Sequence, residues 1–159
     1  RTNIHLVLVG DGEQRPELES RIRRLSLERM VTLAGYRQDA AQLYQAFDVM
    51  LIPSHSEGLG LVLQEAVMAH VPVVASDLPV FVEQLGLKGI YVSPNDVSGW
   101  VTAIEHVLDS DRRSLAIEQR HQLASEQAWE RFRKSYVELL ADDPDPISAS
   151  QNCENGKAF

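Results

Sequence analysis

The chain is short of cysteine, of positive charge and of long apolar runs, and each shortage closes off a class of function. Its one cysteine, Cys153, falls in a polar stretch near the end, so no disulfide framework can form and a reducing compartment is expected. Acidic residues outnumber basic ones by 23 to 15, for a formal charge of −8. Binding a duplex means displacing counterions from a run of phosphates, which takes a basic surface, so nucleic acid is excluded as a partner. No apolar stretch reaches the roughly 20 residues needed to cross a bilayer, and no secretory leader is visible. The five histidines are scattered, without paired spacing or a cysteine partner. No metal constellation follows from them, and no metal or other cofactor is expected. No serine–histidine–aspartate set can be argued either.

What is present is the composition of one soluble globular domain, 44% apolar and 24% charged over 159 residues, long enough to bury a core. Residues 4–9 are apolar apart from His5, as in a strand buried on both faces of a parallel sheet. Further strands are expected at 31–33, 49–52, 71–75 and 89–92. Between them, helical spacing is found at 13–27 with Pro16 in the first turn, around Leu43 and Phe47 after a capping Asp39, at 61–70 and at 79–85. Asp96 is expected to cap a helix aligning Trp100, Ile104 and Leu108, with two more helices at 112–123 and 126–140. Strands alternating with helices at these intervals predict an α/β fold with a parallel sheet. After residue 141 the sequence turns to Asp, Pro, Ser and Asn without periodicity, the composition of a disordered tail.

The densest chemistry lies at residues 53–66. An apolar strand ends in Pro53, a loop carries Gly58 and Gly60, and a helical pattern starts at once. A helix that opens on a glycine loop presents free N–H groups and the positive end of its dipole to an anion. Glu57 stands in that loop and Glu65 inside the helix. At ~1.5 Å of rise per residue, Glu65 sits ~6–7 Å along from the first free amides. This separation suits a ligand with a phosphate at one end and a hydroxylated ring at the other. Gly58, Leu59, Gly60 and Leu61 would act through their backbone, where small residues allow close approach. Taken alone, Glu57 fits a solvated loop carboxylate equally well, and Glu65 an ordinary exposed helical glutamate. The neighbours Leu61, Val62, Leu63, Ala66, Val67 and Ala69 imply a mostly buried helix, in which a carboxylate needs partners. Ser54 opens the loop and is assigned to loop hydrogen bonding at the edge of the site. Gly10-Asp11-Gly12 forms a tight turn after the first strand.

The set Glu57-Gly58-Leu59-Gly60-Leu61, Glu65-Ala66 and Pro72-Val73-Val74-Ala75-Ser76 is preceded by three further matches. These are Val9-Gly10-Asp11-Gly12, Leu33-Ala34-Gly35-Tyr36 and Tyr44-x-x-x-Asp48. Together they resemble the donor-binding half of family-four retaining glycosyltransferases of the GT-B fold, over about residues 4–140. The resemblance implies a Rossmann-like parallel sheet with flanking helices that binds a nucleotide-sugar donor and needs no metal. It implies that Glu57 contacts the transferred sugar beside the reacting carbon and that Glu65 holds the ribose hydroxyls. Gly10 and Gly12 would face the interdomain cleft, with Gly35 and Tyr36 beside the nucleobase.

Three departures stand out: Leu59 where Phe is usual, His70 where the family prefers Gly, and an altered loop at 77–83. Relatives also carry a preceding strand–helix unit, with an Arg and a Lys on the donor diphosphate, and before it an acceptor domain. The chain opens on Arg1 without Met, so it is expected to be a fragment, with a domain at 1–140 and the tail at 141–159. Two consequences are expected of such a fragment: it transfers nothing alone, and strands 4–9 and 49–52 lack the neighbour between them in the family order 3-2-1-4-5-6. The acceptor would be a glycan, lipid or other sugar-bearing molecule, and the location cytosolic, at the inner membrane face if the acceptor is a lipid. The alternative is a degenerate, non-catalytic module that still binds nucleotide sugars.

Overall fold

The computed structural model describes residues 4–123; the expected helix at 126–140 and the tail at 141–159 lie outside them. Five strands, β1 (Leu6–Val9), β2 (Val31–Gly35), β3 (Met50–Ile52), β4 (Val73–Ser76) and β5 (Ile90–Val92), alternate with six helices. These are α1 (Arg15–Arg24), α2 (Ala40–Leu43), α3 (Leu61–Met68), α4 (Pro79–Leu85), α5 (Val97–Asp109) and α6 (Arg112–Leu123). All strand pairings are parallel, as the alternation requires, but they form two sheets, β1-β2 and β3-β4-β5.

The core belongs to the three-stranded sheet. β4 is buried along its whole length and faces two ways. Val73 and Ala75 join Leu63, Ala66, Val67, Phe81 and Leu85 on the side of α3 and α4, whereas Val74 packs with Val92, Trp100, Ala103 and Val107 on the side of α5. Period-two alternation along one strand thus feeds both layers. Gln119 of α6 is fully buried and ties that helix to the sheet as if it were backbone. Its Oε1 accepts from Val73 N–H at 2.8 Å, and its Nε2 donates to Val73 O at 3.0 Å and Lys88 O at 3.3 Å.

The first β–α–β unit corrects the sequence reading. β1 was expected to be buried on both faces, yet Leu6, Leu8 and Val9 are exposed, and α1 has no buried residue. The reason is topological: β1 pairs with β2 alone, and among the described residues no strand runs along its other edge. β3 likewise pairs only with β4. Asp39 is a second correction. It makes no capping bond to α2, because Arg37 takes both carboxylate oxygens, Nε to Oδ1 at 2.7 Å and Nη2 to Oδ2 at 2.6 Å. Asp96 does cap α5, accepting from Gly99 N–H at 2.9 Å, and that bond holds its carboxyl below the usual range.

His70, the departure after α3, adopts the left-handed conformation that glycine would supply, with φ 62°. The Schellman pair is nevertheless complete: His70 N–H donates to Val67 O and Val71 N–H to Ala66 O, both at 3.0 Å. The helix therefore ends as a glycine-capped one does, at the cost of a strained histidine whose Nε2 contacts the Arg120 guanidinium. Substituting His70→Gly should raise stability by about 1 kcal/mol, the left-handed penalty of a side chain. Thermal melts check this, and a lower midpoint would mean that the Arg120 contact outweighs the strain.

Candidate functional site

The glycine loop is built by a change of direction after β3. Pro53 stops the ladder, and Gly60, at φ 63° and ψ 34°, turns the chain into α3 from the left-handed region. Gly60 has no side chain to cap the helix. Its carbonyl accepts from Leu63 N–H at 3.1 Å and Gln64 N–H at 3.3 Å. The N–H groups of Leu61 and Val62 are left without an acceptor among the described residues. They are a small concentration of positive potential at the tip of an eight-residue helix.

Around this tip the loop is open to solvent. Glu57, Gly58 and Leu59 are exposed, whereas Gly60 is buried over Phe81. One oxygen of Glu57, Oε1, accepts from Gly58 N–H at 3.1 Å, which holds the carboxylate on the loop with its second oxygen free. A Cβ at Gly58 would meet nothing within 4 Å, so the protein's own packing does not demand glycine there. Close approach by something else would. Ser54 is half-buried, but its hydroxyl finds no hydrogen-bond partner among the described residues, contrary to the loop bond expected of it.

The expected burial of α3 is only half right. Leu63, Ala66 and Val67 are buried, but Leu61 and Val62 are exposed at the open tip. Glu65 is exposed as well, so it needs no partner to pay for burial. It has one all the same: Tyr44 Oη donates to its Oε2 at 2.9 Å. Tyr44 lies in a 3-10 turn after α2, and its ring is part of the core. Burial, with a lesser contribution from the Glu65 bond, pushes its hydroxyl up to about 12. The hydroxyl therefore stays protonated and keeps donating at physiological pH. Sequence reading assigned Tyr44 no role; 21 positions separate it from Glu65, so no local pattern announces the pair.

Tyr44→Phe should leave stability within about 1 kcal/mol, the net worth of one such hydrogen bond. The same substitution should remove a titration. An elevated tyrosine contributes stability that is complete below the ordinary value of 10 and is lost as pH rises from there towards 12. The stability of the phenylalanine variant should therefore fall less steeply across that window; an identical slope would contradict the assignment.

The remaining expected residues gather at the other sheet. Gly10 N–H donates to Gly35 O at 2.8 Å, joining the turns that follow β1 and β2. Gly12 accepts from Arg15 N–H at 3.1 Å at the start of α1. The Arg15 guanidinium lies beside Gly35, with Nε on Glu19 Oε1 at 3.0 Å. Tyr36 projects into solvent, 75% exposed. Both groups of residues sit at the C-terminal ends of their own strands, where ligands bind in open parallel sheets.

A cavity of about 410 Å³ opens at the other end of β3 and β4, among Asp48, His70, Pro72 and Arg112. Concavity alone would place a ligand there, but Asp48 and Arg112 already satisfy each other at 3.3 Å. None of the expected site residues lines it. Among the described residues no group of three or more His, Cys, Asp or Glu is placed to hold a metal ion, and no helix is long and apolar enough to cross a membrane.

The helix tip of α3 is thus uncapped by any side chain, with a tyrosine-held carboxylate one turn on, in a parallel α/β fold. Residues 1–110 match the family described as glycosyl transferases group 1, and the chain belongs to that family. It is 34% identical over 140 residues to a D-inositol 3-phosphate glycosyltransferase of Corynebacterium kroppenstedtii, covering 84% of this chain and 31% of that protein. It is 32% identical over 145 residues to the lipopolysaccharide core biosynthesis glycosyltransferase LpsE of Rhizobium meliloti, covering 89% of this chain and 43% of that protein. Among solved structures, Anabaena HepE in complex with UDP superimposes with a TM-score of 0.71 at 29% identity, over 89% of this chain and 42% of that one. The fold is that of GT-B glycosyltransferases, and the chain spans less than half the length of each of these proteins.

Proposed function

We propose that this chain forms the donor-binding part of a glycosyltransferase that moves a sugar from a nucleotide-sugar donor to a glycan, lipid or other acceptor with retention at the anomeric carbon. The observation that carries it is the pairing of unfilled amides at Leu61 and Val62 with a carboxylate one turn further on, held by Tyr44. The helix tip takes the donor diphosphate. Glu65 accepts from the ribose hydroxyls. Glu57 accepts from the hydroxyls of the sugar and stabilises positive charge as the bond from the anomeric carbon to the diphosphate breaks. The bond to the acceptor oxygen then forms on the same face, and the acceptor hydroxyl's proton passes to the departing diphosphate. Gly10, Gly12, Gly35 and Tyr36 line the nucleoside side. The acceptor is held by a further domain, so residues 1–159 alone transfer nothing, and no metal takes part.

A degenerate, non-catalytic module would follow if His70 and the altered loop at 77–83 distorted the pocket. Against it, His70 completes its cap, and α4 begins at Pro79 with Phe81 packed under Gly60. The test is a transfer assay on the whole protein with UDP-, GDP- and ADP-sugars, alongside calorimetric titration of each donor. Turnover with one donor supports the proposal; binding without turnover on any acceptor class supports the module instead.

A further inference from the structure

The Leu59 carbonyl is held from two directions. Gln84 Nε2, on α4, donates to it at 2.8 Å, and Gln64 Nε2, on α3, at 3.3 Å. A trans peptide is planar, so the N–H that follows a carbonyl points the opposite way. With Leu59 O turned towards α4, the N–H of Gly60 is turned away from it. That amide has no acceptor among the described residues, like those of Leu61 and Val62. The orientation of the tip's first amide is thus set from 25 residues away in sequence.

The Gln84 carboxamide is itself constrained. Its other end, Oε1, is buried and finds no hydrogen-bond donor. Rotating the amide would bring Oε1 against Leu59 O, acceptor against acceptor, so only the present arrangement keeps a bond at all. The same group fills the space a side chain at 60 would need, since a Cβ there would lie 2.9 Å from Gln84 Nε2. An orphaned carbonyl weakens the fold; what the fold gains in exchange is the fixed Leu59–Gly60 peptide.

We propose that Gln84 is a positioning residue: its carboxamide fixes the Leu59–Gly60 peptide so that the Gly60 N–H joins the α3 amides in holding the diphosphate of a nucleotide sugar. This rests on the function proposed above. A purely structural role makes a different prediction, because methionine matches glutamine in length and removes the orphaned carbonyl.

The experiment uses the whole protein with UDP as the probe and compares wild type with Gln84→Met and Gln84→Glu. Positioning predicts that Gln84→Met weakens UDP about tenfold, the loss of one well-aimed hydrogen bond, while its melting temperature holds or rises. In Gln84→Glu the carboxylate cannot donate to Leu59 O at pH 8, whereas its protonated form can, and the facing carbonyl oxygen favours that form as the pH is lowered. UDP affinity relative to wild type should therefore recover on acidification in that variant alone. Unchanged affinity in Gln84→Met, or no recovery in Gln84→Glu, overturns the proposal. If wild type binds neither UDP nor the GDP and ADP counterparts, the proposed function falls. The NMR amide resonance of Gly60 then decides for Gln84 separately: a shift in Gln84→Met supports positioning, and an unmoved resonance refutes it.

Discussion

Glu57→Gln should lower sugar transfer by the whole protein about a thousandfold. The effect comes from charge alone. Glutamine keeps the Oε1 that accepts from Gly58 N–H at 3.1 Å, so the loop keeps its shape, and the position is exposed, so stability is untouched. In the mechanism proposed above, what disappears is a full negative charge beside a carbon that turns positive as the diphosphate leaves. Two unit charges ~4 Å apart at an effective dielectric of ~20 interact by about 4 kcal/mol. At about 1.4 kcal/mol per factor of ten, that is close to three decades. Melting temperature should stay within about 1 °C, as for surface changes generally. Transfer within tenfold of wild type would remove Glu57 from the reaction and leave it a solvated loop residue.

Gly60→Ala should damage fold and site together. The residue sits at φ 63°, where a side chain costs about 1–2 kcal/mol. The added Cβ would stand 3.1 Å from Phe81 Cε1, 3.3 Å from Phe81 Cδ1 and 2.9 Å from Gln84 Nε2. Phe81 is fully buried and cannot step aside, and overpacking of that kind adds about 1–3 kcal/mol. A total near 3 kcal/mol lowers the melting temperature by about 10 °C for a domain of this size, with donor binding lost as the tip shifts. Gly58→Ala provides the contrast. Its Cβ meets nothing within 4 Å, so stability should hold within about 0.5 kcal/mol while donor affinity falls. Equal stability losses at the two positions would mean that Gly60 is not the packed member of the pair.

The elements that could be read in advance are those whose signals are local. Pro79 marks the first turn of α4 and Asp96 the start of α5, and α4 ends where its spacing predicts. α1 was expected to run to residue 27 but stops at Arg24, because Ser26 takes a left-handed turn at φ 54°. Ser26 N–H bonds Arg23 O and Leu27 N–H bonds Ile22 O, both at 3.0 Å. This is the same cap that His70 makes after α3. Neither carries glycine, so neither end is written in the sequence in its usual form. Asp39 shows the converse, a legible cap defeated by Arg37 two residues earlier.

At the site, the loop from Glu57 to Leu61 was legible because a glycine turn into a helix is a matter of neighbouring residues. The groups that aim it were not. Tyr44 reaches Glu65 across the fold, and Gln84 reaches Leu59 from another helix. The match Tyr44-x-x-x-Asp48 singles out Tyr44, but nothing in it points to Glu65 as the partner. Burial in β1 was misread for a related reason: an apolar run shows what a strand can bury, and pairing decides what it does bury.

The central claim is that the tip of α3 and the two glutamates grip one nucleotide sugar along its length. A crystal of the whole protein grown with its donor tests this most directly. The account predicts diphosphate density at the N–H groups of Gly60, Leu61 and Val62, ribose hydroxyls on Glu65, and the sugar against Glu57. Density in any other place, with both carboxylates facing bulk water, would contradict it.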